Sequence, residues 1–242
     1  MSPEADGQGN PDRNVTPPRE ALAEAARQWA GRKDPDRVRK ALEILQGARN
    51  PDNRNFEVEA AFAKYSWFLG SRKQLSYDQA EKVLKDGLEA SRIARRLKPE
   101  EPDGHFWEAA IIGEQAERAP VTVGIVSIDK IRSGMQKVLE IEPGFEAGSA
   151  YMGLGRLELN TRGLAGGSAG RALEYLEKGF ENHKDNAYMY LYLAEAYFAT
   201  DQYEKAKEIV AKLRELEPDP DYVPEYEEAL EGAESLLKQK TS

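Results

Sequence analysis

The segment from Ala187 to Pro220 constrains this chain more than any other, because it reads as one helical hairpin of fixed length. Leu193, Ala194 and Tyr197 fall on one side of a first helix, and Thr200-Asp201-Gln202 makes a turn. Ala206, Val210 and Leu213 fall on one side of a second helix, which Pro218 ends. The unit is 34 residues long. The residue types follow from two antiparallel helices in contact. Small side chains such as Ala194 and Ala206 let the axes approach, and Tyr197, Val210 and Leu213 fill the space around that contact. Pro218 lacks an amide N–H and its ring collides with the preceding turn, so the helix stops there. One such hairpin cannot bury its own apolar face, so copies must stack on it.

The copies are visible. The second helix carries Ala206, Val210, Leu213 and Pro218 at steps of four, three and five. The same steps recur at Ala172, Leu176, Gly179 and Lys184, and again at Ile131, Met135, Val138 and Pro143. A weaker copy is Gly87, Ser91, Ala94 and Pro99, and the weakest is Ala41, Leu45, Ala48 and Asn53. A 34-residue helix–turn–helix with this pattern resembles the tetratricopeptide repeat (TPR). The expected fold is therefore all-α: a TPR-like α-solenoid of about five helical hairpins plus a C-terminal capping helix. That last helix, Val223 to Lys238, has many Glu and Lys residues, which suit an end cap that solvates the array.

Two turns depart from the repeat. Leu193 and Ala206 are thirteen residues apart, Leu154 and Ala172 eighteen, and Glu108 and Ile131 twenty-three. The extra residues are Thr161 to Ser168 in one hairpin and centre on Ala119 to Ile128 in the other. Insertions on one edge of a repeat array often mark its binding face. Tolerated surface loops are the other reading.

Residues 1–18 are rich in Pro, Gly, Asp and Asn and read as a disordered leader; residues 19–242 read as a single domain. No secretion signal is visible in the leader, and an export signal removed from ahead of it is one way to account for such a tether. Helices are expected over Arg19–Gly31, Asp36–Ala48 and Asn55–Gly70. Ser76 and Gln79 form a capping box for a helix that runs to about Leu97. Asp103 is expected to cap Gly104–Arg118, and Val121 to Val126 to be an extended, β-branched stretch before a helix from Ser127. Phe145–Asn160 and Ala169–Phe180 complete the fourth hairpin, with Ala150, Tyr151, Leu154 and Leu157 buried.

The 242 residues are 40% hydrophobic, enough for one continuous core, and a mean hydropathy of -0.70 suits a soluble helical protein. A net charge of -9 argues against nucleic acid and anionic membranes as partners. The basic group Arg92, Arg95, Arg96 and Lys98 reads as a complement to a helix C-terminus. Without cysteine there are no disulfides, thiolate metal ligands or thiol nucleophiles. Catalytic motifs are scarce, and no catalytic residue, cofactor or metal is assigned. His105 and Glu108 have the spacing of half a metal site, with nothing placed to complete it. His183, near a helix end, complements the dipole. The run Gly163 to Ser168 precedes a helix, where an anion can bind, but it lacks a phosphate loop's Lys and follows a helix. Its plainer reading is a tight turn with Ser168 as N-cap.

Solenoids of this kind usually bind on the concave surface, lined by the first helix of each hairpin. The candidate line is Phe106, Ala110 and Glu114, then Met152, Arg156 and Asn160, then Tyr188, Leu191 and Glu195. Aromatic, Met and Arg residues together suit an interaction surface. A partly core placement of Phe106, Trp107, Tyr188 and Tyr192 is the competing reading.

From about Leu84 to Leu237 the chain also resembles the TatT family, the T component linked to some tripartite ATP-independent periplasmic (TRAP) transporters. The residues that carry the resemblance are Gly87 and Ala94 before Pro99, Gly104-His105-Phe106-Trp107 and the Ile125–Lys130 connector. Met135 to Pro143, Ala150 to Leu157, Gly166-Gly167-Ser168 with Ala172 to Lys178, and Asp219 to Glu225 add to it. The lengthened turns fall where that family has them. The resemblance implies a periplasmic, lipid-anchored protein that binds a periplasmic substrate-binding protein. It also implies a small hydrophobic ligand and a homo-oligomer, a trimer in particular. This chain departs from the family at Arg162-Gly163, where family turns often carry Pro-Gly, and it has no lipid-attachment cysteine. A general TPR interaction scaffold, cytoplasmic or periplasmic, is the alternative.

Overall fold

The computed structural model of the chain describes residues 16–119, 124–163 and 165–241. Eleven α-helices account for most of them: α1 (Pro18–Trp29), α2 (Pro35–Ala48), α3 (Phe56–Gly70), α4 (Tyr77–Leu97), α5 (Pro102–Arg118) and α6 (Ile125–Ile141). After these come α7 (Phe145–Asn160), α8 (Ala169–Asn182), α9 (Ala187–Ala199), α10 (Tyr203–Arg214) and α11 (Val223–Thr241). Residues 1–15 of the expected leader, and 120–123 of the expected extended stretch, lie outside the described residues.

Local chemistry sets most of the helix ends. Asp34, Asn55, Ser168 and Asn186 each accept a backbone N–H from the first turn of the helix they precede. The capping box is present in both directions, Gln79 N–H to Ser76 and Ser76 N–H to the Gln79 side chain. Two expectations fail at helix starts. Glu101, not Asp103, is the N-cap of α5, because Pro102 takes the first helical position with its pre-set φ. The sixth helix begins at Ile125, so Ile125 and Val126 are helical; Ser127 and Ile128 pack inward there, and packing outweighs a weak β-branched preference.

Consecutive helices pair as five antiparallel hairpins, and the second helix of each packs against the first helix of the next. The first helices α1, α3, α5, α7 and α9 also touch in series and form the inner wall. In every copy, down to the weakest, the first three repeated positions are buried, from Ala41, Leu45 and Ala48 to Ala206, Val210 and Leu213, and the fourth lies past the end of the helix. The buried residues form two clusters that meet at α7, and the half-buried Leu139 and Tyr175 pack against both. Ala206 is fully buried where α9 and α10 meet. Ala206→Trp should overpack that contact and destabilise the protein by about 1–3 kcal/mol or more, read by thermal melting; an unchanged melting temperature would refute the pairing.

The longer turn after α7 is not a loose insertion. Thr161 O accepts the amides of Ala165 and Gly167, and Gly163 and Gly166 sit at φ 73° and 76°, where a Cβ would strain the chain. Glu158, in the last turn of α7, is wholly buried beneath this turn. Its carboxylate accepts from the Arg132 guanidinium, from Arg171 Nη2 at 2.6 Å and from the Ser168 amide at 3.0 Å. The anion at the N-terminus of α8 is thus the chain's own Glu158.

The last helix does more than solvate the end of the array. Its Ala229 and Ala233 are buried against α9, in the place a sixth first helix would take. Its N-terminal turn reaches across to the first two hairpins. Arg32, after α1, pairs with Glu225 at 2.8 Å and donates to Asp221 O; Lys33 pairs with Glu227, and Arg72, after α3, with Glu228 at 3.0 Å. The two ends of the solenoid are therefore clasped along the inner wall.

Candidate functional site

The inner wall is the part of the molecule where charged and aromatic side chains converge from helices far apart in sequence. Arg156 of α7 is at its centre. It pairs with Glu117 at 2.7 Å and lies over the Tyr192 ring, 4.8 Å from its centroid. Burial alone would lower the affinity of Arg156 for its proton, but Tyr192, Glu117, Glu195 and Glu114 outweigh that and raise it further above its ordinary value. Tyr192 stacks at 6.0 Å on Tyr188, whose hydroxyl faces Glu228 of α11. Burial pushes the Tyr192 hydroxyl up to about 12, and it raises Tyr188 further, with help from Glu228.

These contacts close into a ring. Glu228 holds Arg72, Arg118 donates to Gly70 O at 2.8 Å at the end of α3, and Arg118 also pairs with Glu114 at 2.9 Å. Burial raises the Glu114 and Glu195 carboxyls above their ordinary range; Glu117 adds to the effect at both, while Arg118 and Arg156 respectively oppose it. A carboxyl raised in this way favours the fold most when protonated. That contribution is complete below the ordinary carboxyl value and is lost as pH rises through the raised one.

A second group lies towards the N-terminal end. Lys64 of α3 has its ammonium between Trp29 and Trp107, 5.9 and 5.7 Å from their ring centroids, and pairs with Glu146 at 2.6 Å. Trp29 stacks on Tyr65 at 4.2 Å. Asp103 sits nearby, its carboxyl raised by burial first and by Glu146 and Glu101 after it. Glu146 occupies this position because α7 opens with a left-handed turn: Glu146, Ala147 and Gly148 have φ of 45°, 52° and 74°. Two non-glycine residues held there store strain. The Asn186 amide group anchors the turn through Ala147 O at 3.0 Å.

The nine residues expected on the concave line divide. Arg156, Asn160, Tyr188, Glu114 and Glu195 do converge on the inner wall, with Asn160 bonded to Glu117 and Glu114 to Arg118. Phe106, Met152 and Leu191 do not: all three are buried in the core. Phe106 packs edge-on against Trp107 and Phe145, and Leu191 lies under α11 at Gly232. Ala110 is half-buried against the core. A step of four along a helix carries a line about 40° around the axis, enough to turn its apolar members inward. Trp29, Lys64, Glu117, Glu146 and Tyr192 belong to the wall and were not on the line. Elsewhere, Glu108 binds Arg92 and Arg95 through separate oxygens, so these arginines serve a neighbouring helix as well as their own C-terminus. His105 Nε2 faces Pro99 O, and the His183 ring packs on Gly148.

Residues 164–224 match the tetratricopeptide repeat family model, over the turn, α8, α9 and α10. The fold is that of a TPR solenoid. A crystal structure of TTC0263, a thermophilic TPR protein in Thermus thermophilus, superposes with a TM-score of 0.65 at 18% identity, covering 88% of this chain and 98% of that one. The crystal structure of MamA protein aligns with a TM-score of 0.48 at 12% identity, over 91% of this chain and 96% of that one. No curated protein matches the chain in sequence.

Proposed function

We propose that this protein is a non-catalytic interaction scaffold whose inner wall docks a segment of a protein partner. The observation that carries the reading is Arg156 on Tyr192, flanked by Glu117 and Glu195 and set between the walls of the solenoid. Arginine and tyrosine half-buried at the centre of a concave surface, where a partner can complete their desolvation, are residue types that dominate interface energetics. The Trp29–Lys64–Trp107 group supplies a second anchor on the same wall. The ionisable groups at both positions are engaged in structural pairs, which supports binding rather than turnover.

The resemblance to TatT proteins narrows the partner to a periplasmic substrate-binding protein of a TRAP-type uptake system. On this finer reading the protein works in the periplasm on a lipid anchor, as a homo-oligomer such as a trimer, and its wall takes a small hydrophobic ligand. The support is the set of quoted motifs and the two lengthened turns. Affinity capture from the source organism with wild-type protein and with Arg156→Glu tests both levels. A partner recovered by the wild type and lost on about tenfold or greater weakening in the variant, with unchanged circular dichroism, is expected. Equal recovery by both proteins would remove the inner wall as the docking site. A partner that depends on Arg156 but is not a solute-binding protein would leave the scaffold and overturn the transport assignment.

A further inference from the structure

The outer side of the solenoid holds a cleft of opposite character to the acidic chain around it. Helices α4 and α6 do not touch, and α5 lies between them as the floor of a cleft of about 510 Å³. Arg92 and Arg95 line one side, one helical turn apart on α4; Lys130 and Lys137 line the other, two turns apart on α6. Ala109 and Ile112 give the floor an apolar strip. Against these four cations the cleft has a single carboxylate, Glu108, in a chain whose net charge is -9.

The arrangement leaves binding capacity over. Glu108 takes only the Nε groups of the two arginines, each at 3.0 Å and each on a different oxygen. Among the described residues, the terminal guanidinium nitrogens of Arg92 and Arg95 make no hydrogen bond. Lys130 Nζ has none at all, and Lys137 pairs only with Glu140, one turn along its own exposed helix face. One internal carboxylate therefore orients two arginine forks without neutralising the cleft. The helices that carry the cations are held firmly, since a Cβ on Gly134 of α6 would lie 2.9 Å from the Cβ of Ala109 on α5.

We propose that this outer cleft binds a phosphorylated ligand, with its phosphate between the arginines of α4 and the lysines of α6. With Glu108 and Glu140 set against the four cations, two positive charges remain, which suits an anion of more than one charge, and arginine forks match phosphate oxygens in pairs. A carboxylate carries one charge and a phosphomonoester about two near neutral pH. The cleft holds far more than a bare phosphate, given about 30 Å³ per water molecule, so there is room for an organic body beside the phosphate. The chain's overall negative field repels anions elsewhere, which makes the local reversal of sign selective.

Calorimetric titration of the full-length protein at low salt tests this, with adenosine 5′-monophosphate, a phosphoserine peptide and unphosphorylated adenosine as probes. A phosphorylated probe is expected to bind and adenosine not to. Tighter binding of the nucleotide would identify a small organic phosphate as the ligand, and tighter binding of the peptide a phosphorylated protein segment. The double variant Lys130→Ala, Lys137→Ala removes exposed side chains, so its melting temperature should hold while affinity falls on the order of tenfold or more. Arg92→Lys should also weaken binding, because it removes a fork and keeps the charge. Absence of binding by both phosphorylated probes at millimolar concentration, or wild-type affinity in the double variant, would overturn the proposal.

Discussion

Glu158→Ala should lower the unfolding free energy by about 3 kcal/mol. Losing one partner of a buried ion pair typically costs about 3–5 kcal/mol. The low end applies here because Arg132 and Arg171 are 26% and 49% exposed and can turn to water once the carboxylate is gone. The Ser168 amide and the turn from Thr161 to Gly167 would lose their anchor at the same time. In a chain of this length the melting temperature should fall by roughly 6–12 °C. Hydrogen exchange should rise first over residues 165–171, the segment that Glu158 holds down. Burial alone would raise the Glu158 carboxyl, yet the hydrogen bonds from Arg132 and Arg171 outweigh burial and hold it below its ordinary value of 4.5. Its stabilising contribution is therefore present above pH 4.5 and lost as pH falls through the depressed value. The gap between wild type and variant should close on acidification. A variant that melts within about 2 °C of wild type at neutral pH would show that the turn is ordered by its glycines and not by Glu158.

Gly104→Val should be nearly as damaging, by about 1–3 kcal/mol or more. A Cβ at position 104 would lie 2.5 Å from the Cα of Arg95, so only a shift of backbone between α4 and α5 relieves the clash. That shift would also pull Glu108 away from Arg92 and Arg95, so affinity at the outer cleft should drop along with the melting temperature. Gly113, on the same helix, is the control: nothing lies within 4 Å of its added Cβ. Gly113→Ala should leave the fold intact and stabilise it by about 0.5–1 kcal/mol, since glycine is costly inside a helix. Equal behaviour of the two variants would mean that α4 and α5 do not cross as closely as they do at Gly104.

The step pattern from Ala41 to Leu213 needed only a helical period and a supply of small residues, and the first three positions it marked in each copy are buried. The caps at Ser76 and Ser168 were equally legible, because a cap is a contact between residues two or three apart. The start of α5 was not read correctly, since Glu101-Pro102-Asp103 offers two adjacent acidic candidates and proline's place in the first turn decides between them. Three of the nine residues on the expected concave line lie in the core for a different reason. Phe106, Met152 and Leu191 have helix-face positions that a sequence fixes only to within one residue's rotation, and an apolar side chain there turns to the core when it can.

The sequence by itself determined the repeat, the all-α solenoid and the position of the lengthened turn after α7, because each depends on spacing within about 40 residues. It also placed Arg156, Tyr188 and Glu195 on the inner side of their helices. Tertiary structure alone decided that α11 returns to clasp Arg32 and Arg72, that Glu158 is the anion beneath its own turn, and that four cations of two helices face one carboxylate across a cleft. These contacts join residues as far as 193 positions apart. Whether such residues meet depends on small rotations summed over five stacked hairpins, and no local pattern of charge or hydrophobicity records that sum.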